Sequence, residues 1–305
     1  MSALAATGRT LIIINPKAGQ ETLKSLRRKL GGAFAARDVA FDIVTTERSG
    51  HATELAREAA QLGFAKVCVV GGDGTLAEAA TGLVGFNVPL ALIPRGTANQ
   101  VAQNLKIPAA FEKAVDVAVH GSARPVDLGQ IDGRAFALVA GAGFDAAVMT
   151  SATRELKERW GFGAYIYAAL KQALSASPAR FTITTEDTTL EVSGVSVMIA
   201  NVGALFTKYI PLRFPLTPKP LSSWYDGVFD IVVVAPHNVP DWATVLWNAA
   251  LMQFGGSDRL IHLQARSVRI ESDPQLPTQI DGDPAGVTPL VAKVLERGVH
   301  IMMPV

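Results

Sequence analysis

The chain has 305 residues, enough for two domains with a sizeable core, and its 49% hydrophobic and 18% charged residues are typical of a globular protein rather than a disordered one. A formal net charge of +1 gives no overall electrostatic basis for binding nucleic acid. The single cysteine excludes an internal disulfide framework and fits a reducing compartment.

The amino terminus, Met1 to Gly8, lacks a charged leader followed by a long apolar region, so we expect no signal peptide. No stretch approaches the ~18 consecutive apolar residues of a membrane-spanning helix. We therefore expect a cytoplasmic protein.

In the first 120 residues, short apolar runs alternate with stretches of helical pattern. The apolar runs predict strands at 10–15, 39–46, 67–70 and 89–93. The helical stretches predict helices up to about Ala36, at 51–62 with Ser49 as a candidate cap, after Thr75, from Thr97, and at 111–120. This alternation is typical of βαβ units and predicts an α/β domain with a parallel sheet.

Four turns follow these strands, at Asn15, Thr45, Gly71 and Pro94. In parallel sheets, ligands bind at the carboxyl ends of the strands, which lie along one edge. We therefore expect residues that are far apart in sequence to share one site at this edge.

The turn after the third strand is the most informative stretch of the chain. Three glycines occur within four residues of Gly71-Gly72-Asp73-Gly74-Thr75, between a buried strand and a helix-forming segment. Glycine permits a ligand to approach the backbone closely, and the N-terminus of the following helix favours a phosphate. A carboxylate beside a phosphate needs a cation between them, so Asp73 points to Mg²⁺. The alternative is that Asp73 is an ordinary turn residue.

After about Asp127 the pattern changes to strand-like runs, including one at His300–Met303, interrupted by two helical stretches. This half predicts a mainly antiparallel β-sandwich. We therefore divide the chain into an α/β domain at 1–127 and a β-rich domain at 128–305.

The remaining motifs are weaker. Gly141-Ala142-Gly143-Phe144-Asp145-Ala146 matches a dinucleotide-binding fingerprint, but it lies where the alternation has ended, so we reject it. A Walker sequence ending in Gly-Lys-Ser/Thr is absent, and the histidines show no metal-ligand spacing. Taken alone, Asp226-Gly227 and Asp281-Gly282-Asp283 are ordinary turns, although two acids two residues apart could serve a hydroxyl and a metal.

Together these pieces resemble the diacylglycerol kinase catalytic-domain family, which includes bacterial lipid kinases and is related to sphingosine and ceramide kinases. The matching residues occur in the family's order over nearly the whole chain. They are Asn15, Pro16, Gly19, Thr46, Gly71 to Thr75, Pro94, Gly96, Thr97, Asn99, Gly143 to Asp145, Asn201, Pro211, Asp226-Gly227 and Asp281-Gly282-Asp283. The family's two-domain plan agrees with the change of pattern near Asp127.

The resemblance implies a nucleotide-binding first domain and a lipid-substrate second domain. The residues implied to contact ATP are Asn15, Pro16, Lys17, Ala18, Gly19, Thr46, Gly71, Gly72, Asp73, Gly74, Thr75, Gly96, Thr97 and Asn99. Asp73 would also organise Mg²⁺ near the phosphates. A structural magnesium site in the second domain would map onto Ser223, Asp226 and Val228.

The resemblance also implies the catalytic turn. The family's usual sequence there is Asp-Gly-Glu, with the Glu as proton acceptor. Here Asp283 stands in its place with a side chain one methylene shorter. Because a general base must come within ~3 Å of the proton it takes, Asp281 is a second candidate.

The predicted function is an ATP- and Mg²⁺-dependent kinase that phosphorylates a lipid hydroxyl, of diacylglycerol or a related lipid, and meets its acceptor at the membrane surface. The aromatic segments Trp160–Tyr165 and Phe206–Trp224 are candidates for the mouth of the acyl-chain site. Two alternatives stay open: an NAD kinase, which shares the glycine–aspartate turn, and a non-catalytic lipid-binding module, suggested by Asp283. A homodimer is compatible with the sequence, which is silent on oligomeric state.

Overall fold

The computed structural model describes residues 8–143, 177–202, 204–205, 214–215, 223–236, 241–242 and 258–305. The chain divides into two compact units. The first comprises the residues up to 128 with 133–135 and 296–305, and the second comprises 129–132 and 136–295. The last ten residues thus belong to the first unit. A single boundary between residues 127 and 128 does not describe this return of the chain.

The first unit is built around five parallel strands. They are β1 (Thr10–Ile14), β2 (Phe41–Thr45), β3 (Lys66–Gly71), β4 (Leu90–Pro94) and the end of β18 (Leu290–Met303). Their order is β2-β1-β3-β4-β18, and Ile301 pairs in parallel with Leu90. The sequence pattern places His300–Met303 in the β-rich second domain, whereas this end of β18 pairs in parallel with β4. Every residue of β1 and β4 is buried, as in strands covered on both faces.

Five helices are described in this unit. They are α1 (Leu23–Ala35), α2 (His51–Gln61), α3 (Asp73–Leu83), α4 (Gln100–Asn104) and α5 (Phe111–His120). Helices α1 and α5 pack on one face of the sheet through a core that includes Ile12, Phe34 and Val115. None of the helices that the structure describes is long and apolar enough to cross a membrane.

Two predicted helix starts were wrong. Ser49 does not cap α2, whose N-cap is Gly50 with a φ of +79° and no side-chain cap bond. The helix expected from Thr97 begins instead at Gln100, because Asn99 occupies its N-cap in the left-handed conformation with a φ of +48°.

The second unit is a sandwich of two antiparallel sheets. The strands between β4 and β18 are β5 (Ser122–Ile131), β6 (Arg134–Phe136), β7 (Val139–Gly143), β8 (Ala179–Thr185), β9 (Thr189–Gly194), β10 (Ser196–Ala200), β11 (Ala204–Leu205), β12 (Phe214–Pro215), β13 (Phe229–Val234), β14 (Leu260–Ala265), β15 (Ser267–Asp273), β16 (Pro277–Ile280) and β17 (Asp283–Val287). In this unit β18, β15, β8 and β9 form one sheet in that order, and β14, β13, β10, β7, β16 and β17 form the other.

The sandwich encloses an apolar core that includes Phe136, Phe181 and Phe229, each fully buried. The rings of Phe136 and Phe229 stack with centroids 5.6 Å apart. Gly141 and Gly143, which belong to the rejected dinucleotide fingerprint, lie within strand β7. The predicted fold class, an α/β domain followed by an antiparallel sandwich, is confirmed.

Candidate functional site

A cavity of about 420 Å³ lies in the first unit at the carboxyl ends of its strands. All four turns that follow β1 to β4 contribute to it. Its lining residues are Asn15, Pro16, Lys17, Ala18, Thr46, Glu47, Arg48, Ser49, Gly72, Gly74, Thr75, Glu78 and Gly96. Four of these were not assigned from the sequence. Glu47, Arg48 and Ser49 continue the turn after β2, and Glu78 lies one helical turn beyond Thr75. The rule that ligands bind at the carboxyl ends of parallel strands could therefore have identified them.

Two glycine backbones meet at the base of this cavity. A Cβ added at Gly96 would lie 2.7 Å from the Cα of Gly72 and 2.8 Å from Oδ1 of Asn99. A Cβ added at Gly72 would lie 3.1 Å from the Cα of Gly96. A side chain at Gly96 would therefore force the turns after β3 and β4 apart, and one at Gly72 would press on the Cα of Gly96.

Asn15 ties the end of β1 to the first turn of α3. Its Nδ2 donates to Oγ1 of Thr75 at 2.9 Å, and its Oδ1 accepts from the backbone N–H of Lys17 at 3.0 Å. The N–H of Ala18 donates to the carbonyl of Asn15 at 3.1 Å. These contacts shape the turn 15–18, which forms one wall of the cavity.

Asp73 opens helix α3 but is turned towards the next helix. Its Oδ2 accepts from the backbone N–H of Gln100 at 2.8 Å, and its Oδ1 accepts from that of Val101 at 2.9 Å. The carboxylate thereby caps the first two residues of α4, since N–H groups at a helix start lack partners within the helix. Burial raises the pKa of Asp73 above its ordinary value, and these N–H donors offset part of the rise.

Glu78 holds the wall of the cavity that is formed by the start of α2 and the residues before it. Its Oε2 accepts from the N–H of Ala52 at 3.2 Å and its Oε1 from the hydroxyl of Ser49 at 3.3 Å. Glu78 thus supplies the cap that Gly50 cannot. The N–H of Glu47 donates to Nδ1 of His51 at 3.1 Å, which holds the segment between β2 and α2.

Five predicted nucleotide contacts do not line the cavity: Gly19, Gly71, Asp73, Thr97 and Asn99. The amide of Asn99 closes its own turn, because its Oδ1 accepts from the N–H of Gly96 at 2.8 Å and its Nδ2 donates to the Gly96 carbonyl at 2.7 Å. This residue shapes the base of the cavity from behind.

The single cysteine, Cys68, lies fully buried in β3. Burial raises the pKa of its thiol to about 12. The thiolate form is therefore suppressed, and Cys68 acts as a small core side chain.

In the second unit, the predicted catalytic turn is the two-residue loop of the hairpin β16–β17. Asp281 and Gly282 both have positive φ, +50° and +88°. The carboxylate of Asp281 accepts from the backbone N–H groups of Ala137, Leu138 and Val139 at 2.9, 2.9 and 3.0 Å. Asp283, two residues later, is exposed. The turn thus offers one acid that holds the backbone and one that faces solvent.

The predicted metal residues lie around a 3₁₀ turn, Ser223–Tyr225. Oδ1 of Asp226 accepts from the N–H of Val228 at 3.2 Å, and Gly227 between them has a φ of +70°. Within the described ranges, no three His, Cys, Asp or Glu side chains are grouped as a metal site. Phe144, Asp145, the aromatic segment Trp160–Tyr165, and nearly all of 206–222 lie outside the described residues.

Comparison with known proteins covers both halves of the chain. Residues 9–131 match the profile of the diacylglycerol kinase catalytic domain, and residues 138–303 match that of the YegS C-terminal NAD kinase beta sandwich-like domain. A diacylglycerol kinase of Bacillus subtilis is 29% identical over 97% of this chain and 96% of its own. A probable YegS-like lipid kinase of Shewanella frigidimarina is 27% identical over 92% and 94%. A crystal structure of a candidate diacylglycerol kinase from Bacillus anthracis aligns with a TM-score of 0.77 at 27% identity, over 97% of both chains.

Proposed function

Because the chain belongs to the diacylglycerol kinase catalytic-domain family, we propose that it transfers the γ-phosphate of ATP to the hydroxyl of a lipid, diacylglycerol or a related one. The observation that carries this proposal is the cavity in the first unit, where the N-terminus of α3 and two touching glycine turns meet. A helix N-terminus beside bare backbone is suited to phosphate groups.

The nucleotide would be held mainly by the backbone and by neutral side chains. Gly72, Gly74 and Thr75 line the cavity at the start of α3, and Asn15 fixes the hydroxyl of Thr75. The charged lining residues are two cations, Lys17 and Arg48, and two carboxylates, Glu47 and Glu78. Arg48 is already paired with Glu54 at 2.6 Å, so Lys17 is the residue suited to touch a phosphate directly.

This balanced lining fits a nucleotide that arrives with Mg²⁺, because the side chains alone do not neutralise a triphosphate. When bound, Mg²⁺ supplies the positive charge that phosphoryl transfer requires at the phosphate oxygens. The carboxylate of Asp73 has four lone pairs and accepts from three backbone N–H groups, those of Gln100, Val101 and Asp73 itself, so it keeps some acceptor capacity. In the second unit, the carboxylate of Asp226 and the backbone oxygens of Ser223 and Val228 would give Mg²⁺ an all-oxygen donor set.

The acceptor hydroxyl would be activated from the second unit. Its oxygen forms a bond to the γ-phosphorus as the bond to the β-phosphate oxygen breaks, which leaves ADP, and its proton passes to a carboxylate. We assign that role to Asp283, which is exposed, and assign Asp281 to holding the turn through its three N–H partners.

The test is transfer of label from γ-labelled ATP with Mg²⁺ to a panel of acceptors. Diacylglycerol, phosphatidylglycerol and sphingosine are presented in vesicles, and NAD is presented in solution. We expect label on one of the lipids and none without Mg²⁺. Label on NAD would assign the chain to the NAD kinases. Binding to the vesicles without transfer of label to any acceptor would indicate that the protein is a non-catalytic lipid-binding module.

A further inference from the structure

Arg95 lies beneath the turn that follows β1, although it belongs to the turn that follows β4. Its backbone N–H donates to the carbonyl of Gly71 at 2.8 Å, which extends the pairing of β3 with β4. Its side chain then reaches towards Gly19 and Glu21. One residue therefore links the turns after β1, β3 and β4.

The guanidinium group packs directly against the Cα of Gly19. A Cβ added there would lie 2.9 Å from Nη2, 3.1 Å from Nε and 3.3 Å from Cζ of Arg95. Gly19 also has a φ of +81°, a conformation that other residues adopt only with strain. The backbone conformation thus favours glycine at this position, and any side chain there would also displace the guanidinium group of Arg95.

The far end of the guanidinium group pairs with Glu21. Nη1 of Arg95 lies 3.3 Å from Oε2 of Glu21, and the two side chains are only 17% and 25% exposed. A hydrogen bond from Ser25 and then the charge of Arg95 lower the pKa of Glu21, so this carboxylate is ionised at neutral pH. Partial removal from water makes such a pair stronger than one on an open surface.

The position of Arg95 is held in spite of a cost. Its Nε is buried and has no hydrogen-bond partner in the part of the chain that the structure describes. A buried donor without a partner is destabilising. The packing on Gly19 and the pairing with Glu21 must offset this cost. These two contacts therefore hold the side chain of Arg95 in place.

We propose that Arg95 is a positioning residue for the nucleotide, which fixes the segment 15–21 against the turn after β4 so that Asn15 to Ala18 form a rigid wall of the cavity. The guanidinium group of Arg95 packs on the backbone of Gly19, where no side chain is in its way. The proposal rests on the proposed function only in taking ATP as the ligand of the cavity.

The experiment measures ATP affinity directly on the full chain, with a fluorescent ATP analogue and no lipid. We expect Arg95→Met to weaken binding about tenfold and Arg95→Lys to weaken it less, because lysine keeps the charge but not the planar group. Glu21→Gln should weaken binding in the same direction, and the double variant should bind no worse than Arg95→Met alone. At saturating ATP the turnover number should stay within about twofold of the parent, whereas general misfolding would lower it.

Gly85 offers a matched control for the glycine. It has a φ of +83°, and a Cβ added there meets nothing within 4 Å. Gly19→Ala should weaken ATP binding because it displaces the guanidinium group, whereas Gly85→Ala should carry similar backbone strain and leave ATP affinity unchanged. Parent-like ATP affinity in Arg95→Met would overturn the proposal. Tighter binding in Glu21→Gln would also overturn it, because it would mean that Arg95 binds the phosphates and Glu21 competes for it.

A second readout needs no nucleotide at all. The amides of residues 17–21 should exchange hydrogen faster in Arg95→Met than in the parent, and unchanged exchange would reject the positioning role. If the parent binds ATP but phosphorylates no lipid, the proposed function fails while the role of Arg95 is still decided. If exchange depends on Arg95 but the parent binds no nucleotide, the segment is held as proposed and the assignment of ATP is wrong.

Discussion

Three Asp-Gly turns occur at the positions predicted for chemistry, and they use their carboxylates differently. Asp281 accepts hydrogen bonds from the N–H groups of three successive residues, Asp73 accepts from the first two residues of α4, and Asp226 accepts from Val228 two residues ahead. The first two bind backbone far away in sequence. The difference teaches that an acid in such a motif can serve the scaffold, and the exposed Asp283, two residues after Asp281, is the acid that we propose for the substrate.

The largest effect should come from Asp283→Asn. Asp283 is the exposed acid two residues after Asp281. If Asp283 accepts the hydroxyl proton, turnover should fall about 10²- to 10⁴-fold, because the amide cannot act as a base. Stability should stay within about 0.5 kcal/mol of the parent, as for other surface substitutions. The measurement is initial rate of lipid phosphorylation at saturating ATP. Full activity in this variant would move the role to Asp281 and reverse the comparison.

Asp281→Asn should act on stability instead. The amide keeps one acceptor oxygen but turns an NH₂ group towards backbone N–H donors, so we expect a loss of about 3 kcal/mol in the unfolding free energy of the second unit. All four tryptophans, Trp160, Trp224, Trp242 and Trp247, fall between residues 136 and 295 of the sequence, so their fluorescence during urea denaturation reports on the second unit. Asp283→Asn is the matched control. An unchanged midpoint in Asp281→Asn would show that the three N–H contacts stabilise little.

The comparison also shows what the sequence could predict. Glycine spacing identified the turn that opens α3, and the change of pattern identified the two kinds of sheet, because both depend on local residue types. The partners of Asp281 lie 142 to 144 residues away and those of Asp73 lie 27 and 28 away. Such contacts are fixed by the packing of distant segments. For the same reason the sequence did not reveal the cap that Glu78 gives to α2 or the return of β18 to the first sheet.

Asp73→Asn should have a smaller effect, about 1–2 kcal/mol, from the loss of one cap bond to α4. Its pH dependence is more informative. Because burial raises the pKa of Asp73 in the folded state, the folded protein holds this proton more tightly than the unfolded chain does. The contribution of Asp73 to stability is therefore present at low pH and is lost as the pH rises above about 3.9 through the raised pKa.

The corresponding measurement compares the parent with Asp73→Asn by calorimetry between pH 4 and pH 7. The stability difference, parent minus variant, should shrink as the pH rises and then level off. A difference that grows with pH would show that the N–H groups of Gln100 and Val101 outweigh burial and hold the pKa low. In that case Asp73 would be ionised over this whole pH range, which is the form that a ligand of a cation near the phosphates must take.

Asp226 offers the smallest effect and the sharpest contrast with the other two turns. If its carboxylate holds Mg²⁺, the ion should stabilise the second unit by about 1.4 kcal/mol at a concentration ten times its Kd, since it binds the folded state alone. Asp226→Asn should abolish this rise in the tryptophan-monitored midpoint, while Asp283→Asn should retain it. Equal ionic strength in sodium chloride separates ion binding from screening. A magnesium response that survives in Asp226→Asn would place the ion at another group of oxygen ligands and leave Asp226 as a turn residue.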